Sequence, residues 1–134
     1  MREILFRGKS DNDEEWKYGD LLQGGFDYDF AIYGKEDKLV NAVIHKTVGQ
    51  YTGLTDKNGT KIFEGDYIVC SQAIEGNFID EHIEMGYVEM KHASFGLHRK
   101  QGYYRPFKDW LEDYEYEVLG NIHDNPELLK GGAE

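Results

Sequence analysis

The 134-residue chain is long enough to form one domain, or a core domain with a small N-terminal addition, without disulfides or bound metals. Its 26 acidic and 15 basic residues give a net charge of −11, which argues against nucleic acid as a partner, because phosphate binding depends on Lys and Arg. The single cysteine, Cys70, fits a reducing compartment. We find no signal peptide and no apolar run near the ~20 residues that span a bilayer, so we expect a cytoplasmic protein that does not enter a membrane.

A high aromatic content of 14%, with 16 glycines and only two prolines, favours a mostly β protein with many turns. In the first third of the chain, alternating apolar and polar residues predict four strands separated by glycine-containing or acidic loops. These segments are Ile4–Arg7, Trp16–Leu22, Tyr28–Tyr33 and Asn41–Ile44. The predicted arrangement is an N-terminal β-meander over residues 1–47.

The stretch from Val48 to Cys70 is rich in turn-forming residues, since Asn and Asp accept backbone N–H bonds and Gly adopts positive φ at little steric cost. The predicted structural turn positions are Gly49, Gly53, Asp56, Asn58, Gly59, Gly65 and Asp66. A segment like a calcium loop begins at Asp56, but such a loop needs Gly and Glu where Lys61 and Tyr67 stand. We therefore interpret the segment as a tight β-turn.

From residue 48 to residue 134 the pattern is typical of a small SH3-type barrel, and Phe78–Glu84 is the one ambiguous segment within it. The predicted strands are Lys61–Phe63, Tyr67–Cys70, Gly86–Met90, Ser94–Arg99 and Glu115–Ile122. Apolar residues at spacings of three and four predict one short helix within residues 105–114, and Glu127–Leu129 can form a further helical turn. The candidates for the barrel interior are Ile68, Val88, Met90, Phe95, Leu97, Val118 and Ile122.

No motif supplies a complete set of catalytic, cofactor-binding or metal-binding residues. His92–Gly96 resembles a nucleophile elbow but lacks its first glycine, and the five histidines lack metal-ligand spacing. Cys70 lies in an apolar run and is expected to be buried and inert. Acidic pairs such as Glu115 and Glu117 could hold Mg²⁺, but their alternation with apolar residues is typical of the solvated face of a strand. We therefore predict no catalytic residue, no cofactor and no metal.

The segment V-G-Q-Y-T-G-L-T-D-K-N-G-T-K-I-F-E-G-D, Val48–Asp66, resembles the signature of the YopX family, small proteins encoded by phages and prophages. Phe6–Gly8 and Glu117–Leu129 agree with the same family, so the resemblance covers nearly the whole chain. It implies a β-rich protein with an SH3-type barrel, and it supplies no catalytic residues. Asp11–Glu15 and Glu75–Glu84 are expected to vary within the family.

These observations favour a phage or prophage interaction or assembly protein without enzymatic activity. The alternative is a nucleic-acid-associated small barrel, which rests on analogy of fold. A third hypothesis is a metal-assisted hydrolase that uses acidic residues.

Ten tyrosines and seven phenylalanines exceed what one small barrel buries, so we expect an exposed aromatic surface that contacts a protein partner or a second copy. The candidate residues of this surface are Tyr51, Tyr67, Tyr87, Tyr103 and Tyr104. An unpaired strand edge at Glu115–Ile122 offers a second route to self-association. The other possibility is that these tyrosines pack the meander against the barrel.

Overall fold

The computed structural model describes residues 3–74, 77–91, 94–99, 104–107 and 115–128, with the backbone alone for 72–74 and 77–84. The chain forms two compact units, Met1–Gly53 and Leu54–Glu134. Strands predominate in both, which confirms the predicted mostly β class. Within the described ranges, no helix is long and apolar enough to cross a membrane.

The first unit contains an antiparallel sheet in which the strand order is β4-β3-β2-β1-β5. Its strands are β1 (Phe6–Lys9), β2 (Trp16–Gln23), β3 (Phe30–Tyr33), β4 (Val40–Ala42) and β5 (Gly49–Thr55), with a 3₁₀ turn at His45–Thr47. The sequence predicted the first four of these to within two residues at each end. β2 and β3 approach closely at Gly19, where a Cβ would lie 1.9 Å from the Tyr33 carbonyl oxygen.

β5 corrects two of the predicted turn positions. Gly49 and Gly53 both lie inside this strand, and Gly49 pairs with Arg7 of β1. A glycine within a strand gives the same sequence signal as a glycine in a turn, and only Gly53, at φ +91°, has a backbone conformation that favours glycine. The last two residues of β5 belong to the second unit, together with β6 (Lys61–Phe63), its neighbour in the strand order.

The second unit is built on a five-stranded antiparallel sheet with the order β10-β9-β8-β7-β11. These strands are β7 (Asp66–Ile74), β8 (Asn77–Lys91), β9 (Ser94–Arg99), β10 (Tyr104–Pro106) and β11 (Glu115–Asn121). β7 and β8 are longer than predicted, because the ambiguous stretch before Gly86 continues the ladder with β7. Within the described ranges this sheet has two edges, at β10 and β11, so the predicted SH3-type barrel is not confirmed.

One face of the second sheet carries the core of its unit. The fully packed residues are Ile62, Ile68, Cys70, Val88, Leu97, Phe107 and Tyr116, with Leu54, Phe95 and Val118 partly buried against them. Five of the seven predicted interior residues are in this set, and Cys70 is buried as expected. The prediction was wrong for Met90, which is 46% exposed because it lies one residue from the end of β8. Ile122 is half-buried in the turn that follows β11.

The helix predicted within residues 105–114 is contradicted at its start. Arg105 and Pro106 belong to β10, which pairs with β9. Pro106 lacks a backbone N–H and is tolerated because β10 is an edge strand. Residues 108–114 lie outside the described ranges, and so does Leu129 of the predicted helical turn, in which Glu127 and Leu128 are helical.

Candidate functional site

The turn between β5 and β6 is organised by one carboxylate. Asp56 Oδ1 accepts the backbone N–H groups of Asn58 and Thr60, both at 2.9 Å. The Asp56 carbonyl oxygen accepts the Gly59 N–H at 3.0 Å, and Gly59 has a φ of +84°, where a side chain would be strained. We call residues 56–60 the Asp56 turn.

The Asp56 turn also covers the outer edge of β11. Asp56 Oδ2 accepts the Val118 N–H at 3.0 Å, and the Lys57 N–H donates to the Tyr116 carbonyl oxygen at 2.9 Å. The edge that was expected to be unpaired, Glu115–Ile122, is therefore paired at two of its backbone groups, and that expectation was wrong there. An added strand has no free partner at these two positions.

The charge of Asp56 is stabilised by its position. Desolvation raises the pKa of this carboxyl group, but the three backbone N–H donors outweigh it, so the pKa is lowered from the ordinary 3.8. The side chain is thus an anion at neutral pH although the residue is only 7% exposed. Its oxygens serve the backbone of this turn and of β11, which is the arrangement of a structural carboxylate.

The predicted turn at Gly65 and Asp66 is built in the same way, and so is the turn after β11, which was not predicted. Asp66 Oδ2 accepts the Phe63 N–H at 2.7 Å across the turn between β6 and β7, and Gly65 within that turn has a φ of +93°. After β11, Asn121 Oδ1 accepts the His123 N–H at 3.0 Å. The signature polar residues therefore satisfy backbone donors at chain reversals.

A row of aromatic rings crosses the second sheet on the face away from its core. The strand register places Tyr67 opposite Tyr87, Tyr87 opposite His98, and His98 opposite Tyr104. Alternation along each strand sends these side chains to the side opposite the core residues of β8 and β9. Tyr67 is buried, whereas the other three residues are partly exposed.

The middle of this row has defined geometry. The Tyr87 and His98 rings stack with their centroids 4.7 Å apart and their planes 16° apart. His98 Nδ1 lies 3.2 Å from Glu89 Oε1, and the two side chains are 39% and 25% exposed. Burial, and secondly the Glu89 charge, raise the pKa of the Tyr87 hydroxyl above 10.0. We call Tyr87, Glu89, His98 and Tyr104 the β8–β10 face.

Tyr104 is fixed at the edge of this face. Its ring lies over Gly96, where a Cβ would be 2.7 Å from the ring atoms. The Tyr104 hydroxyl donates to the Ser94 carbonyl oxygen and lies 3.2 Å from that of Lys91. A partly exposed aromatic ring is therefore held in one orientation by the end of the β8–β9 hairpin.

The predicted aromatic surface is corrected by these positions. Tyr51 and Tyr67 are buried, at 7% and 3% exposure, so neither can form a solvent-facing patch. Tyr103 lies outside the described ranges. Tyr87 and Tyr104 remain, and they are joined by two residues that the sequence analysis missed, Glu89 and His98.

The sequence signal that could have identified Glu89 and His98 was the register of the β8–β9 hairpin. Val88 and Leu97 were predicted to share the core face, and their sequence neighbours must then share the opposite face.

In the described ranges, no three His, Cys, Asp or Glu side chains lie close enough together to hold a metal ion.

The family model described as YopX protein matches residues 5–130. The chain belongs to the YopX family. Among solved structures it resembles the crystal structure of protein EF1440 from Enterococcus faecalis, with a TM-score of 0.54 and 21% identity over 96% of this chain and 99% of that one. At this identity the likeness shows the fold. A search of the curated proteins gives no match.

In this YopX chain the signature stretch Val48–Asp66 is structural. Asp56, Gly59, Gly65 and Asp66 build the Asp56 turn and the turn after β6, whereas Gly49 and Gly53 lie in β5. The β8–β10 face also presents side chains to solvent in a fixed arrangement.

Proposed function

We propose that this protein is a phage- or prophage-encoded binding module without enzymatic activity, which contacts another protein through the β8–β10 face. The observation that carries the proposal is the stack of Tyr87 on His98 beside Glu89, with Tyr104 held at the adjacent edge. Partly exposed aromatic side chains with polar tips are the groups that most often anchor protein interfaces.

Pre-organisation supports this choice of surface. His98 is paired with Glu89 and stacked on Tyr87, and the Tyr104 hydroxyl is bonded to the backbone at Ser94. Side chains that are already ordered lose little rotamer entropy when a partner covers them. Binding of a partner to this face therefore costs little conformational entropy in these side chains.

The surface charges support a protein partner over nucleic acid. Lysines of the described residues lie within 4.0 Å of carboxylates, as Lys17 does near Asp13, Lys35 near Asp20 and Lys57 near Glu117. The net charge of −11 also disfavours binding to phosphate groups, which depends on neutralising Lys and Arg contacts.

A different protein is favoured over a second copy for two reasons. Two chains of −11 each repel one another. In addition, the β11 edge is partly covered by the Asp56 turn, which removes one route to strand pairing between copies.

The test is a pull-down with purified, tagged chain from lysogenic or infected cells, followed by titration of the purified captured protein in a calorimeter. We expect His98→Ala to weaken binding at least tenfold, because it removes both the stack and the Glu89 contact. The matched control is Tyr18→Ala, which deletes an aromatic ring that is 48% exposed on β2.

Equal affinity of His98→Ala and the wild type contradicts the proposed surface. Light scattering over a concentration series adds a second criterion. A dimer that His98→Ala dissociates contradicts the choice of a different protein as partner.

A further inference from the structure

The loop between β2 and β3 presents a phenylalanine wholly to solvent. Phe26 has a relative exposure of 102%, whereas no other described large hydrophobic side chain exceeds 59%. Burial of a Phe side chain is favourable, so a partner that covered this ring would remove apolar surface that the free chain leaves in water. Phe26 therefore contributes no buried apolar surface to the fold of the free chain.

The backbone of this loop is fixed without any contribution from Phe26. Gly24 directly follows β2 with a φ of +69°, and its N–H donates to the Asp29 carbonyl oxygen at 2.9 Å. The Tyr28 ring folds back over Gly25, where a Cβ would lie 2.1 Å from the ring. One aromatic ring thus closes the loop, and the other is left projecting from it.

The sequence neighbours of Phe26 include acidic residues. Residues 24–29 read G-G-F-D-Y-D, so two carboxylates and no cation accompany the exposed ring. Asp27 and Asp29 are both exposed. An apolar group with this border complements an apolar pocket with Lys or Arg at its rim, and it is repelled by anionic lipid, nucleic acid and other acidic surfaces.

We propose that Phe26 is an anchor that inserts into an apolar pocket of a protein partner, with Asp27 and Asp29 facing basic residues at the rim of that pocket. A single aromatic side chain buried in a pocket commonly dominates the energy of an interface. The closed loop lowers the entropy that insertion costs. This inference does not depend on the β8–β10 face, because Phe26 belongs to the first unit and the variants that test each are different.

The test uses the full-length chain with p-benzoylphenylalanine at position 26, irradiated in the cells that express it. A parallel chain carries the same group at position 39. Leu39 is the matched control, since it is 58% exposed and precedes β4 in the next hairpin. Proteins crosslinked at position 26 and absent at position 39 are purified and titrated with the unmodified chain.

We expect Phe26→Ala to weaken that binding at least tenfold, while Leu39→Ala binds like the wild type. The double variant Asp27→Asn with Asp29→Asn is expected to weaken binding severalfold and to reduce its dependence on salt. Since Phe26 makes no contact that the fold needs, circular dichroism melting of Phe26→Ala serves as the check that the variant is folded.

Three outcomes overturn the proposal. The first is the absence of a crosslinked protein specific to position 26, whether because positions 26 and 39 give the same crosslinked proteins or because position 26 gives none. Another is a position-26 adduct with lipid, nucleic acid or a second copy of the chain. The third is a purified partner that binds Phe26→Ala as tightly as the wild type.

Discussion

The Asp56 turn and the β2–β3 loop are both short connections between strands, and they use their side chains in opposite ways. In the Asp56 turn, a carboxylate satisfies the backbone, accepting N–H bonds from its own turn and from Val118. In the β2–β3 loop, Gly24 and Gly25 make the chain reversal possible, and Phe26 projects into water. The first loop therefore uses its side chain to satisfy backbone donors, whereas the ring of Phe26 in the second loop stays exposed to solvent.

The largest expected effect is at Asp56. We expect Asp56→Ala to lower the free energy of unfolding by about 3 kcal/mol, because it removes three charge-assisted hydrogen bonds, including the one from the Val118 N–H. Urea denaturation followed by circular dichroism measures the change. A loss below about 0.5 kcal/mol, the range of ordinary surface substitutions, means that the turn does not depend on its carboxylate.

Gly65 gives the next largest effect. Its φ of +93° lies in the region that L side chains rarely adopt, so we expect Gly65→Val to cost about 1–3 kcal/mol through backbone strain. The matched control is Gly49→Ala, a glycine with ordinary strand geometry, which is measured in the same denaturation series. An unchanged midpoint for Gly65→Val contradicts the turn geometry.

The pH dependence of stability sharpens the comparison further. The folded-state pKa of Asp56 is lowered, so its contribution is complete above the ordinary value of 3.8 and is lost as the pH falls through the folded pKa. We expect the stability gap between wild type and Asp56→Asn to be constant from pH 7 to pH 5 and to narrow toward pH 3. A gap that widens on acidification contradicts the direction of the pKa shift.

The smallest expected change in the free energy of unfolding is at Phe26. A small change there would show that the ring does not support the fold. We expect Phe26→Ala to change the free energy of unfolding by less than about 0.5 kcal/mol, because the ring is fully exposed. A loss of more than about 1 kcal/mol shows that the ring supports the fold and removes the contrast between the two loops.

Local patterns were sufficient to predict the elements whose evidence is local. β6 and β9 were predicted at the residues where they occur, since β6 is a short apolar segment between two turns and β9 has apolar alternation after a turn. β5 was missed because Gly49 and Gly53 interrupt its pattern. β8 was predicted too short because residues 78–84 are rich in charged groups yet continue the strand.

The functional geometry was harder to predict, because it depends on contacts between distant residues. Asp56 and Val118 are 62 positions apart, so no local pattern reveals that the turn covers the β11 edge. Tyr51, Tyr67 and Tyr87 look alike in sequence, and only the packing of each strand decides which ring reaches solvent. Glu89 and His98 could have been placed on the exposed face from the register of the β8–β9 hairpin. That register follows from the sequence, but the prediction was based on the number of tyrosines.

Cys70 gives the second unit a built-in reporter. Its thiol is 0% exposed, and its backbone lies in β7 between Glu84 of β8 and Tyr116 of β11. A thiol reagent can react only when this part of the sheet opens, so the labelling rate measures the free energy of that opening. Because the chain has a single cysteine, the signal comes from the second unit alone, and the opening of one unit can be timed without modifying the sequence.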